Sequence, residues 1–284
     1  MTTVHILTSI SSMVLKNGLF NSICKKDLTT NDHKNRFNIL MYAVCILLFG
    51  IGVIGESFSY FTLLLGIVFG IVTALSNFYQ MKALSDGPMH ITLLITTSSM
   101  IIPTMSGVFF GEKFSFYKLI AVMVLIWFIY LSLGGKGDQK KINKKWLLFV
   151  FLAFLFQGSI GVLQKIHQAS EHKAELNGFL LVAFVCSLIY SRIRSRKTFK
   201  ALNFRTRQVL IAVVCGICTY AMNVLNLRLS GMLPSQLFFP LINGSSIVLT
   251  SLVSIFLFKE KISKKQAVGL CGGILSLIAI CLVP

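Results

Sequence analysis

Two cations, Lys16 and Lys165, fall inside long apolar stretches of this 284-residue chain rather than between them. An ammonium at such depth needs an anion or several carbonyl oxygens. It either faces a polar pathway or snorkels to the interface. No Asp or Glu stands at the centre of an apolar stretch: Glu56, Asp86, Glu112, Glu171, Glu175 and Glu260 all lie at ends or in connectors. Four amides join the lysines as candidates. Asn77 and Gln80 are three apart, as are Asn223 and Asn226, so each pair shares one face of a helix. They can donate to and accept from a polar solute, or merely hydrogen-bond helix to helix. Asn17 and Gln164 adjoin the two lysines. Ser98, Ser99, Asn243, Ser245 and Ser246 form two further polar patches, which either line a cavity or let helices approach closely. The chemistry on offer is recognition of a polar or anionic solute, with no catalytic group required.

Several patterns fail on context. Gly50 to Gly55 matches G-x-G-x-x-G but closes an apolar run with no βαβ unit around it. Cys215 and Cys218 form C-x-x-C without the second pair a zinc set needs, and the seven cysteines are too scattered for a disulfide framework. His167 and His172, near Glu171 and Glu175, read as an exposed polar connector rather than a metal site. No nucleophile arrangement is recognisable. The expectation is a non-enzyme with no cofactor and no metal.

What positions the polar residues follows from composition. The chain is 55% hydrophobic and only 13% charged, against about a quarter charged in soluble domains. Its apolar residues come in long blocks, and in lipid each block must satisfy its own backbone groups, which makes it a helix. About 20 residues span the hydrocarbon. The blocks predict ten helices: Val4–Cys24, Phe37–Ile54, Thr62–Leu84, Pro88–Phe110, Phe116–Leu133, Trp146–His167, Leu176–Tyr190, Gln208–Leu229, Pro234–Phe258 and Gln266–Val283. The first is the most polar. It lacks the basic start of a signal peptide and is kept as a helix.

The chain uses one plan twice. Asn77 and Asn223, Gln80 and Asn226, Lys82 and Arg228, and Pro88 and Pro234 stand 146 residues apart. Glu112 and Glu260, like Lys113 and Lys261, stand 148 apart. V-L-K-N at Val14–Asn17 echoes V-L-Q-K at Val162–Lys165. The units expected are residues 1–142 and 143–284, joined by a Gly- and Lys-rich connector at 134–145. Five helices per unit is odd, so the second copy must enter the membrane from the opposite side. Such inverted repeats recur among secondary transporters, with the solute site near the midplane.

Two five-helix repeats, each closing on a G/K-E-K turn between its fourth and fifth helices, resemble the drug/metabolite transporter superfamily, EamA type. The resemblance covers essentially the whole chain and implies an all-α integral membrane carrier with a central cavity lined mainly by helices 1, 3, 4, 6, 8 and 9. Its members move amino acids, sugars, nucleotide derivatives, phosphorylated compounds and drugs. A proton-coupled exporter of lipophilic cations would be expected to hold a carboxylate in its first helix; here there is Lys16. The expected solute is therefore an amino acid or another carboxylate-bearing metabolite, with drug export and a non-transporting binding or scaffold protein as alternatives.

The net charge of +18 is one-sided. Of 27 Lys and Arg, 21 fall in connectors of one face and four (Lys113, Lys118, Lys173, Arg228) on the other. The positive-inside rule makes the rich face cytoplasmic and both termini external in the cell membrane. That face suits anionic lipids. No soluble basic surface exists for nucleic acid. Gly66-x-x-x-Gly70 and Gly269-x-x-x-Gly273 let backbones approach, internally or, through the tenth helix, in a homodimer. Pro103 should kink the fourth helix and free the carbonyl of Ser99; the ninth has no proline at the equivalent place but carries Asn243-Gly244.

Overall fold

The computed structural model describes residues 2–26, 31–86, 89–113, 115–133, 143–194, 206–258 and 263–282. Pro88, the Glu260-Lys261 turn, most of the connector at 134–145 and residues 195–205 of the basic connector lie outside the described residues. Among the described residues all regular structure is helical: α1 (Thr2–Lys26), α2 (Asn31–Gly52), α3 (Tyr60–Asp86), α4 (Met89–Ser98), α5 (Ile101–Ser106), a 3₁₀ turn (Gly107–Phe110), α6 (Phe116–Leu133), α7 (Lys144–Ala169), α8 (Leu176–Arg194), α9 (Thr206–Met232), α10 (Ser235–Phe258) and α11 (Lys264–Leu282). Within α2, α3, α7, α8, α9 and α11 lie six segments long and apolar enough to cross a membrane; Ile95–Phe110, Phe116–Leu131 and Ser235–Leu249 are shorter apolar segments. The polar α1 forms a helix but does not reach that hydropathy.

Helix starts are written locally. Asn143 accepts from the Trp146 N–H (2.7 Å), three residues into the turn, as an N-cap does. Ser263 and Gln266 exchange hydrogen bonds in a capping box before α11. Ser59 accepts from the Thr62 N–H at the start of α3. The fourth apolar stretch breaks where Pro103 requires. Lacking an N–H, Pro103 cannot reach the carbonyl of Ser99, which accepts instead from Ile102 N (3.0 Å). The chain turns at Ser99–Met100 and resumes as α5. Gly111, at φ 76°, then ends the 3₁₀ turn in the left-handed region open to glycine, its N–H returned to Gly107 and Val108.

The chain divides into two compact units, each drawn from both sequence halves: Met1–Ala74 with Ser170–Arg228, and Leu75–Ala169 with Leu229–Pro284. In the first, α2 packs along α8, with Phe49 between Phe184 and Tyr220. Gly66 and Gly70 of α3 lie against the backbone carbonyls of Phe179 and Ala183 in α8, and Gly216 of α9 lies against Met41 O of α2. In the second unit α6 packs along α11. Val122, Leu125 and Ile129 of α6 are buried, Phe128 lies over Gly272, and Gly273 meets Val248 of α10. Gly66, Gly70 and Gly273 thus make contacts within a unit. Gly158 and Gly161 of α7 admit Ile102 and Pro103 of α5.

Candidate functional site

The sequence candidates divide between the units. In the first, α1 and α9 carry Lys16, Asn17, Asn223 and Asn226. Ser9 Oγ donates to Asn226 Oδ1 (2.5 Å), while Lys16, two turns on in α1, lies within electrostatic reach of the thiols of Cys45, Cys215 and Cys218. The pairing runs up one helix and down the other, so α1 lies antiparallel to α9. Lys16 is half-buried and Asn17 exposed. Cys215, Thr219, Asn223 and Asn226 recur at helical spacing and form one polar seam. Thr219 Oγ1 donates to Cys215 O (2.7 Å), and Asn223 Nδ2 to Thr219 O (2.8 Å). That leaves the Asn223 side-chain oxygen as an acceptor.

The second unit holds the rest. Asn77, Gln80, Ser98 and Ser245 are half-buried and Gln164 is buried. Ser99 Oγ donates to Thr96 O (2.6 Å), Asn243 Nδ2 to Phe239 O (3.0 Å) and Ser246 Oγ to Asn243 O (2.9 Å). These groups bond back to their own helix, which satisfies them in an apolar setting. Two features escape the sequence reading. Ser76 Oγ donates to Gln157 Oε1 (2.8 Å), tying α3 to α7. Pro240 sits buried inside α10.

Lys165 is buried, and its ammonium is fully engaged. It donates to Ser230 O (2.8 Å) and Leu233 O (3.3 Å) at the end of α9, and pairs with Glu112 at 2.5 Å. Those three acceptors match the three protons of an ammonium. Glu112 also accepts from Ser235 N (2.6 Å) and Ser235 Oγ (3.1 Å), capping the start of α10. Gln236 returns the favour at the start of α6, accepting from Ser115 N (3.0 Å). The Gly111-Glu112-Lys113 turn thus folds a carboxylate onto a lysine 53 positions further along the chain.

The first unit has matching carboxylate caps. Glu56 accepts from Gly178 N (3.0 Å) and Asn177 Nδ2 (2.7 Å) at the start of α8. Glu175 accepts from Ser59 N (2.9 Å), Ser59 Oγ (2.8 Å) and Ser57 Oγ (3.2 Å) at the start of α3. Burial pushes the Glu175 carboxyl up, but hydrogen bonds from Thr62, Ser59 and Ser57 outweigh it and bring it down to about 2. His172 Nδ1 lies 3.3 Å from Glu175 Oε1, and its ring stacks on Phe61. Among the described residues no three His, Cys, Asp or Glu side chains gather as a metal site would need.

Residues 144–282, just short of half the chain, match the EamA-like transporter family. Over those residues the chain is EamA-like, which supports membership of the drug/metabolite transporter superfamily. It is a multi-pass membrane protein of transporter type. A protein of known crystal structure shares this chain's fold, at 15% identity, over 99% of each chain and with a TM-score of 0.72. No curated protein sequence matches it.

Proposed function

We propose that this EamA-like chain is a secondary carrier. It moves a small polar metabolite, with an amino acid or another carboxylate-bearing solute as the leading class, across the cell membrane by alternating access. The family match carries the reading. The helices add polar groups of the kind a polar solute would meet, and no ATP-binding motif is present in the sequence, which leaves gradients or exchange as the energy source. Ten spans in two inverted repeats of residues 1–142 and 143–284 are the arrangement we infer. Its support is the 146-residue spacing and the packing of corresponding elements on each other, α2 with α8 and α6 with α11. We place the basic connectors in the cytoplasm, against anionic lipid, and both termini outside. A periplasm-dependent reporter fused after Pro284 should then be active; activity from a cytoplasmic reporter would overturn that sidedness.

The deciding experiment is flux in proteoliposomes loaded with amino acids, sugars, nucleosides, phosphorylated metabolites or lipophilic cations. Uptake or counterflow of one polar class is expected. Flux confined to lipophilic cations would replace the proposal with drug export. Binding without flux of any class would replace it with a membrane binding or scaffold protein.

A further inference from the structure

The two membrane lysines occupy opposite situations, and the difference points to where an anion goes. Lys165 has its three protons on Glu112, Ser230 O and Leu233 O. Lys16 has no carboxylate partner among the described residues. Glu112 belongs to Lys165, while Glu56 and Glu175 hold the starts of α8 and α3. Glu171 and Asp86 are exposed. Within electrostatic reach of Lys16 are instead thiols: Cys45 of α2, whose Sγ donates to Gly216 O (3.3 Å), and Cys215 and Cys218 of α9.

We propose that Lys16 and the α9 seam at Asn223 form a binding site for a carboxylate-bearing solute, with the carboxylate on Lys16 and a donor group of the solute on the free oxygen of Asn223. The inference rests on the carrier reading above, and it names the solute class of that site. A half-buried ammonium with no carboxylate partner gains most from an anion it can desolvate with. Thiols bring no competing full charge. Counted from the Ser9–Asn226 bond, Lys16 lies seven residues along α1 and Asn223 three residues back along the antiparallel α9, an axial offset of four residues or about 6 Å, which the lysine side chain and a small α-amino or hydroxy acid together can bridge. The hydrogen bond between Ser9 and Asn226 fixes α1 against α9 and so sets the height of Lys16 on the seam.

The test uses purified full-length protein in lipid nanodiscs, with propionate and n-propylammonium as probes of equal size and opposite charge. Propionate should raise the melting temperature and propylammonium should not. Lys16→Arg should keep the difference and Lys16→Met should abolish it. A propionate shift that survives in Lys16→Met, or an equal shift with propylammonium, overturns the site. Should Lys16→Met fail to fold, thiol labelling of a variant retaining only Cys218 decides. An anionic methanethiosulfonate should outrun its trimethylammonium counterpart by roughly tenfold or more, relative to a free thiol. Parity, or no labelling by the anionic reagent, overturns the site. The two readings fail separately. A Lys16-dependent propionate shift without flux of any solute keeps the site and removes the carrier. Flux with no propionate shift removes the site and keeps the carrier.

Discussion

The Lys165–Glu112 pair shows how a buried charge is tolerated in an apolar setting. Each partner also bonds to backbone at a helix end, so neither is left with bare lone pairs or protons. Removing one partner strands the other, at a typical cost of about 3–5 kcal/mol, whereas removing both is often near neutral. Lys165→Met and Glu112→Gln should each be strongly destabilising, and the double variant markedly less so than their sum. Additive losses in thermal or denaturant unfolding would mean that the two charges do not depend on each other. Glu175 gives a second expectation, with a defined sign. Its carboxyl is held down at about 2 in the fold, against 4.5 for the free group. Its contribution is therefore fully present above pH 4.5 and is lost as pH falls towards 2. The stability gap between wild type and Glu175→Gln should close between about pH 4.5 and 2. A gap that persists at pH 2 would sink that account. Residue types in the membrane were legible in the sequence; pairings were not. Lys165 reads as isolated because its partner comes from a turn 53 positions away, brought in only by tertiary folding.

At the scale of elements, local chemistry explains most of what the sequence disclosed. The break at Ser99–Met100 follows from one missing N–H at Pro103, and the starts of α7 and α11 from Asn143 and the Ser263–Gln266 box. Pro240 was harder to see, because it falls outside the position matching Pro103 and α10 runs through it as helix. The weak first stretch also proved helical, although its composition falls short of a span. Gly66 and Gly70 supply the sharpest element-level expectation. A Cβ at Gly70 would press on the backbone carbonyl of Ala183 and on Cys186 Cβ, neither of which can swing aside like a flexible side-chain tip. Ser187 Oγ, donating to Gly70 O (3.0 Å), pins the same crossing. Gly70→Ala should cost about 1–3 kcal/mol by overpacking, whereas Gly50→Ala, where a Cβ meets nothing, should be neutral or slightly stabilising. Equal effects at the two glycines would show that α3 and α8 are not in close backbone contact.

For the whole molecule the open physical question is which surfaces meet lipid, and the two tryptophans answer it differently. Trp146 is 2% exposed. It lies in a cluster with Ala83 and Val150 and donates its indole N–H to Thr92 Oγ1 (3.0 Å). Trp127 is 61% exposed on the face of α6 that also presents Ile120, Met123 and Val124. Phe116–Leu133 is 18 residues long, or about 27 Å at the helical rise, close to the hydrocarbon thickness. If α6 spans the bilayer with that face outward, Trp127 sits among acyl chains rather than in water. In vesicles of acyl-brominated lipid, tryptophan fluorescence should fall, and the fall should vanish in Trp127→Phe but remain in Trp146→Phe. Aqueous iodide should quench neither variant appreciably. Iodide quenching of Trp127 with no response to brominated lipid would place the exposed face of α6 against water. It would then have to line an aqueous path, and α6 would become a candidate for solute contact in place of a lipid-facing wall.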